Sequence, residues 1–150
     1  MKPPISFFVS GHPKGQPRAR ATRRGNHAGV YDPGTADAWK SCVRSDWKAQ
    51  PQEPWTGPIY VRLTFFFPRP NGHFRTGKNA SILRDNAPNW HAAKPDADNA
   101  AKAVLDALTN AGAWADDAQV ARLVVEKRWG LPGCRIEISE LENNFIPETK

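Results

Sequence analysis

Five aspartates and one lysine carry the residue types and spacing best suited to chemistry in this chain. Lys102 is the single basic residue between positions 96 and 117, and the acids there are Asp96, Asp98, Asp106, Asp116 and Asp117. Carboxylates crowded together repel one another, so such a group favours either a bound cation or a hydrated surface. Mg²⁺ binds carboxylate oxygens, keeps several of its waters and completes its shell with phosphate. The cluster therefore indicates either phosphodiester chemistry or a solvated helix end.

The spacing of these residues supports both interpretations. Asp98 and Lys102 are four residues apart, so they lie one turn apart on the same stripe of a helix. Asp96 belongs to an extended segment before that helix and can point to the same side as Asp98. Asp117 comes after the helix, and sequence proximity alone does not place it beside Asp96. In the structural alternative Asp98 caps the helix and pairs with Lys102, while residues 116–117 form a turn.

Other metal and redox sites are not indicated by the sequence. A calcium-binding EF-hand is excluded because the sixth and twelfth positions counted from Asp96 are Ala101 and Ala107, where that loop needs Gly and Glu. The four histidines have no ligand spacing and are predicted to be surface or loop residues. Cys42 and Cys134 lie far apart without a CxxC spacing and are predicted to be small buried side chains. No small-molecule cofactor is expected.

The overall charge is opposite in sign to the acidic cluster. The 150 residues carry a formal net charge of +6, which favours an acidic partner such as nucleic acid. One basic segment has Pro and Gly between its charges and no acid before Asp32, and it contains Lys14, Arg18, Arg20, Arg23 and Arg24. Such a segment cannot pack into a core. It predicts an exposed arm at about residues 12–30 that contacts phosphate, although a solvated loop is the simpler alternative.

Residues 68–93 are a second candidate phosphate-contacting surface. They are rich in Pro, Gly and Asn, and Asp85 is their single acid. A structureless loop of this length in a compact domain is usually functional or partly disordered. Its basic residues, together with the lysine that follows it, are candidate phosphate contacts: Arg69, Arg75, Lys78, Arg84 and Lys94.

The order of apolar patterns predicts one α+β domain over residues 1–150, with two helices packed on a roughly four-stranded mixed or antiparallel sheet. Period-two alternation predicts strands at about 5–9, 59–67, 119–129 and 134–138. The last two are expected to pair as an antiparallel hairpin, with inward side chains on the first of them at Ala121, Leu123, Val125 and Trp129. A tail is expected at about residues 143–150.

Helical spacing predicts the two helices. The first runs from an N-cap at Thr35 to about residue 49, with an apolar stripe of Trp39, Cys42, Val43 and Trp47. The second runs from about 98 to 110, is capped by Asp98 or Asn99, and ends before Gly112. The longest apolar run is far too short to span a bilayer and no signal-peptide core is visible, so a cytoplasmic protein without a membrane partner is expected.

Two motifs resemble the signature of the RusA family of Holliday junction resolvases, which are common in prophages. Residues 94–108 read Lys-Pro-Asp-Ala-Asp-Asn-Ala-Ala-Lys-Ala-Val-Leu-Asp-Ala-Leu, and residues 114–120 read Trp-Ala-Asp-Asp-Ala-Gln-Val. Upstream, Pro-Lys-Gly-Gln-Pro-Arg at 13–18 and Val-Tyr-Asp-Pro-Gly-Thr at 30–35 resemble the N-terminal pattern of that family. The resemblance therefore covers nearly the whole chain.

The resemblance implies a homodimeric, Mg²⁺-dependent crossover junction endodeoxyribonuclease, with Mn²⁺ as a substitute ion. Such an enzyme introduces paired symmetric nicks into four-way DNA. By position, Asp96, Asp98 and Asp117 match the metal-binding acids and Lys102 matches the catalytic lysine. Asp116 and Asn99 are second-rank candidates, Asp116 as a further metal ligand.

Two features depart from the shorter members of the family. The loop at 68–93 is long, which bears on junction geometry and sequence preference. Ala100 replaces the usual bulky apolar residue after Asp-Asn, which bears on packing. Two other functions stay open on the sequence: a non-catalytic DNA-binding accessory module, and a branched-DNA nuclease with less selectivity for structure.

Overall fold

The computed structural model describes residues 2–50, 53–143 and 148. Its elements in chain order are β1 (Ile5–Ser10), β2 (Arg20–Arg24), β3 (His27–Tyr31), α1 (Asp37–Lys48), β4 (Ile59–Phe67), α2 (Ala97–Asn110), β5 (Val120–Trp129) and β6 (Gly133–Glu140). β1, β4, β5 and β6 form one mixed sheet, which confirms the predicted α+β class with two helices. The expected C-terminal tail lies outside the described residues except for Asn143 and Glu148. No helix in the described part of the chain is long and apolar enough to cross a bilayer.

The strand order of the main sheet is β1-β6-β4-β5. β4 pairs antiparallel with β6 and parallel with β5, so the predicted hairpin of β5 with β6 is wrong. The reason lies in β4, whose inward side chains at alternate positions are at most 5% exposed. A strand this apolar loses most contact with water in the middle of a sheet, where it separates β5 from β6. The turn at residues 130–132 carries the chain past β4.

The helices cover one face of the sheet. α1 buries Trp39, Val43 and Trp47, but Cys42 at the border of this stripe is exposed, so its predicted burial is wrong, whereas Cys134 is buried as expected. Burial raises the pKa of the Cys134 thiol far above its ordinary range. α2 buries a side that is mostly alanine, including Ala100, which is fully buried. Small side chains there let the helix lie close to the sheet.

The predicted helix caps are not the ones the structure uses. α1 begins after Ala36 rather than Thr35, and no side chain caps it. α2 begins after Asp96, which takes the N-cap position with an extended backbone. Asp98 and Asn99 therefore lie in the first turn and do not cap it. Gly112, with φ of 84°, follows α2 as predicted.

The basic arm is exposed from Arg18 to Val30, as predicted, and this part contains the hairpin of β2 with β3. The prediction is wrong for the start of the arm, where Pro13 is buried and residues 15–17 are half-buried. All ten residues of these two strands are exposed. A hairpin without a buried face has no apolar alternation, so the sequence pattern did not reveal it. The Gly25-Asn26 pair between the strands is a turn signal that predicts such a hairpin.

The long loop has more order than a structureless segment. It contains short 3-10 turns at Asn71–His73 and Gly77–Asn79 and a bridge between Phe74 and Leu83. His91 lies in this loop, as one of the two predicted alternatives, but it is 6% exposed: its ring stacks on that of Phe67, with the ring centroids 4.0 Å apart. β5 is less buried than predicted, with Ala121 and Leu123 exposed, because it is an edge strand paired on one side.

Candidate active site

The start of α2 is fixed by a lysine that the sequence analysis did not select. Lys127 on β5 donates hydrogen bonds through Nζ to the carbonyl oxygens of Ala93, at 2.7 Å, and Pro95, at 2.6 Å. Burial lowers the pKa of Lys127. These bonds hold the segment that leads to Asp96 and Asp98 against the edge of the sheet.

The end of α2 leads into a second ordered turn. Gly112 and Ala113 donate backbone hydrogen bonds to the carbonyls of Thr109 and Leu108, the pattern of a Schellman motif. The indole of Trp114, almost fully buried, donates to the hydroxyl of Thr109 at 2.8 Å. The chain therefore leaves the helix along one defined path toward the Asp-Asp pair.

The residues of the Asp-Asp-Ala-Gln motif at 116–119 have different structural roles. Asp116 caps the 3-10 turn Asp117–Gln119 by accepting a hydrogen bond from the Ala118 amide at 2.8 Å. The Gln119 side chain accepts from the Asp116 amide at 3.3 Å and donates to the carbonyls of Trp55 and Gly57. Asp116 is thus a structural cap, whereas the side chain of Asp117 faces the space beside α2.

Asp98, Lys102 and Asp117 line one open cleft of about 420 Å³, here named the acidic cleft. Its apolar wall consists of Leu105, Leu123 and Val125. Burial raises the pKa of Asp117, and hydrogen bonding with Asp116 and the charges of Asp116 and Asp106 raise it further, while Lys102 opposes the shift. This site is short of positive charge, since one ammonium faces several carboxylates.

Asp96 lines a neighbouring cleft of about 560 Å³ together with Lys14, Arg18 and Lys94, here named the basic cleft. Lys94 Nζ lies 2.9 Å from Asp96 Oδ1. This hydrogen bond and the charge of Lys94 lower the pKa of Asp96. The structure thus brings Asp98 and Asp117 to the acidic cleft. The side chain of Asp96 lines the basic cleft, where it is paired with Lys94.

A three-carboxylate centre is not formed in this structure. Among residues 2–50, 53–143 and 148, no group of three or more His, Cys, Asp or Glu side chains could hold a metal ion. The donors of the acidic cleft nevertheless fit a hydrated divalent ion: Asp98 and Asp117 offer only oxygen, both are exposed, and the charges of Asp116 and Asp106 add to the burial that raises the pKa of Asp117. One oxygen of Asp116 is already used by its cap.

A pocket of about 450 Å³ adjoins the acidic cleft, shares Asp117 with it, and contains two residues that the sequence analysis missed. Lys40 is 9% exposed, and Nζ donates to Gln16 Oε1 at 2.9 Å. The backbone amide of Gln16 donates to the backbone carbonyl of Asn99 at 2.9 Å. The burial of Lys40 could have been predicted from the sequence, because residues 36, 40, 43 and 47 share one helical stripe that faces the core.

The candidate DNA contacts fall into three groups. Lys14, Arg18 and Lys94 line the basic cleft, while Arg20, Arg23 and Arg24 lie exposed on the hairpin. Within the loop, Lys78 and Arg84 are exposed, whereas two arginines make internal contacts. Arg69 donates to the carbonyl of Pro88 at 2.7 Å, and Arg75 pairs with Asp85 at 3.2 Å. Those two arginines stabilise the loop itself.

The sequence profile described as Endodeoxyribonuclease RusA matches residues 10–139. The chain belongs to the RusA family. It is also 30% identical over 129 residues to the uncharacterised protein YqaN of Bacillus subtilis (strain 168), a match that covers 82% of this chain and 86% of YqaN. RusA membership supports nuclease activity on DNA, in a family that acts at Holliday junctions. All residues of the two clefts lie within the RusA match.

Proposed function

We propose that this RusA protein is a divalent-metal-dependent endonuclease that resolves four-way DNA junctions in recombination and repair. The observation that carries the proposal is the shared acidic cleft of Asp98, Lys102 and Asp117 beside a cleft lined by Lys14 and Arg18. A strongly acidic centre repels DNA unless a cation is bound, while the basic surroundings attract the polyanion. This opposition of charge is typical of metal-dependent phosphodiester cleavage.

Asp98 and Asp117 are the proposed ligands of Mg²⁺, with Mn²⁺ as a substitute and Asp96 as the third candidate ligand. When bound, the ion supplies Lewis-acid chemistry at the phosphate. Lys102 lies one helical turn from Asp98 and would donate hydrogen bonds to a phosphate oxygen, which offsets the charge that builds up in the transition state.

The basic residues would hold the DNA backbone on either side of the cut. Arg18 and Lys14 lie beside the start of α2, and the exposed hairpin extends this positive surface. Arginine binds phosphate through two parallel hydrogen bonds, which orients the strand as well as attracting it. Paired nicks in a symmetric junction require two active sites, so a C2 homodimer, acting on cytoplasmic DNA, is part of the proposal.

The decisive test is a metal titration on a labelled four-way junction and on a linear duplex of the same sequence. We expect Mg²⁺-dependent nicking of the junction in preference to the duplex, in two strands at symmetric positions. Binding without nicking at any Mg²⁺ or Mn²⁺ concentration would instead assign a non-catalytic DNA-binding module. Equal nicking of both substrates would assign a less selective nuclease.

A further inference from the structure

Trp90 is the most exposed tryptophan among the described residues, with 58% of its surface open. It lies in the long loop, outside both clefts. The guanidinium of Arg128 lies 4.3 Å from its ring centroid, within the range of a cation–π contact. A large aromatic side chain that is exposed and yet held by a cation is suited to a partner with a flat π surface.

The arginine beneath Trp90 is itself held in place. Arg128 donates from Nε and Nη2 to Glu126 Oε2, each at 3.3 Å. The other oxygen of Glu126 accepts from Arg62 Nη2 at 2.9 Å. Arg62 Nε lies 3.8 Å from a carboxylate oxygen of Glu137. This chain of ion pairs crosses three strands, from β5 through β4 to β6, and fixes the position of the guanidinium.

The backbone on both sides of Trp90 is also pinned to β5. The amide of His91 donates to the carbonyl of Lys127 at 3.0 Å, and the amide of Trp129 donates to the carbonyl of Asn89 at 2.9 Å. Trp90 and Arg128 form an isolated bridge between these bonds. The indole is therefore presented from an ordered backbone, so a partner would meet a preorganised surface.

Trp90 and the basic cleft lie at the same edge of the sheet but on opposite faces. Lys127 holds the segment before Asp96, and the next residue of the same strand, Arg128, supports Trp90. Because successive strand residues point to opposite faces, the platform lies on the face that carries Arg62 and Glu137. Branched DNA that contacts both the platform and the basic cleft would pass around the β5 edge. The single acid of the loop, Asp85, is paired with Arg75, so a negatively charged partner meets little repulsion there.

We propose that Trp90, backed by Arg128, is a stacking platform for an unpaired base of branched DNA. The inference rests on the proposed function, since a four-way junction offers strained or unstacked bases at its branch point whereas intact duplex does not. Aromatic stacking with bases is tolerant of sequence, because every base has a π face. Trp90 would therefore select DNA structure rather than sequence.

The test uses the full chain in the presence of a chelator, so that binding is measured without cutting. A four-way junction carries 2-aminopurine either at the branch point or within an arm, and its fluorescence is recorded with wild type, Trp90→Ala, Trp90→Leu and Trp90→Phe. Ile82→Ala is the matched control, because Ile82 is an exposed apolar residue of the same loop. Thermal melting checks that each variant folds.

We expect wild type to change the signal of the branch-point probe and leave the arm probe nearly unchanged. Trp90→Ala and Trp90→Leu should lose this change and bind the junction about tenfold more weakly, since base–aromatic stacking contributes on the order of this factor. Trp90→Phe and Ile82→Ala should resemble wild type. Duplex affinity should change less than about twofold in all variants.

Three results would overturn the inference. They are equal junction affinity for wild type and both non-aromatic variants, equal losses on junction and duplex, and a smaller sedimenting mass for Trp90→Ala without DNA, which would make the indole a subunit contact. Tight junction binding without a Trp90 effect rejects the platform alone. A Trp90-dependent signal from a protein that never nicks DNA rejects the nuclease proposal alone.

Discussion

The ammonium group of Lys40 donates a 2.9 Å hydrogen bond to the side-chain oxygen of Gln16. Lys40 belongs to α1 and Gln16 to the basic arm, whose backbone is bonded to Asn99 in the first turn of α2. The side-chain nitrogen Nε2 of Gln16 also donates to Asp32 Oδ2 at 3.1 Å. This glutamine therefore connects both helices and the arm beside the acidic cleft.

Gln16→Ala removes the acceptor of a nearly buried ammonium and should lower the free energy of unfolding by about 1–3 kcal/mol. Urea denaturation of the metal-free protein measures this change. Gln50→Ala is the matched control, because its side chain donates one hydrogen bond to the Asp46 carbonyl at the end of α1. A change within about 0.5 kcal/mol is expected there. Equal effects of the two substitutions would show that Lys40 does not depend on Gln16.

Asp98→Asn and Asp117→Asn should each reduce junction nicking by more than about 100-fold, because even outer-shell partners of metal sites contribute about 10- to 100-fold. Junction binding should be kept or become tighter, since a carboxylate that repels phosphate is removed. Gel-shift assays and single-turnover nicking measure the two effects. Asp85→Asn, in the loop, is the control and should cut normally. Lost binding with retained cutting would contradict the assignment.

Arg18→Ala should weaken DNA binding more at low salt than at high salt. Each phosphate that a basic residue neutralises contributes about 0.9 to the slope of log affinity against log salt concentration on duplex DNA. The slope should therefore fall by about one for this substitution. Arg135→Ala, an exposed arginine on β6, is the control. An unchanged slope for Arg18→Ala would remove the basic cleft from the DNA surface.

The sequence predicted the helices, the central strands and the meeting of Asp98 with Lys102, because each depends on local periodicity. It did not predict which strands pair, because β5 and β6 are neighbours in sequence but β4 lies between them. Lys127 could have been selected from the sequence by applying the strand alternation at every position of β5. Residues 121, 123, 125, 127 and 129 share one side of β5, so a lysine lies at a position predicted to face inward. Its hydrogen bonds to the segment before Asp96 explain that placement.

The burial of His91 creates a pH dependence of stability. Desolvation and the nearby charge of Lys127 lower its pKa below the ordinary value of 6.5, so the folded protein keeps this ring neutral. The unfolded chain takes up a proton as the pH falls through 6.5, and the free energy of unfolding therefore decreases from there toward the folded pKa. Above that window the contribution is fully present.

His91→Phe should reduce this loss of stability between pH 7.5 and 5.5, because a phenyl ring can stack on Phe67 without taking up a proton. In the wild type the buried Nδ1 of His91 has no hydrogen-bond partner, so replacing the ring with phenyl breaks no hydrogen bond of Nδ1 and removes an unsatisfied polar atom. Urea denaturation at both pH values measures the difference. His27→Gln, on the exposed hairpin, should retain the pH dependence of wild type. The same loss of stability in His91→Phe as in wild type would assign the effect to other groups.

At Gly15 the basic arm packs tightly against Pro95 and the first turn of α2. A Cβ atom at this position would lie 2.9 Å from Cβ of Pro95 and 3.3 Å from Cβ of Asn99. Neither neighbour is the far end of a flexible side chain, since one belongs to a proline ring and the other is attached directly to the helix. The arm and the helix must therefore separate to accept even a methyl group.

Gly15→Ala should lower the free energy of unfolding by about 1–3 kcal/mol, the usual range for overpacking. It should also slow nicking more than it weakens binding, because it displaces Arg18 relative to Asp96 while keeping every charge. Gly72→Ala is the control, since a Cβ there meets no atom within 4 Å. If both variants cut and unfold like wild type, the alignment of the two clefts does not depend on the close contact between Gly15 and α2.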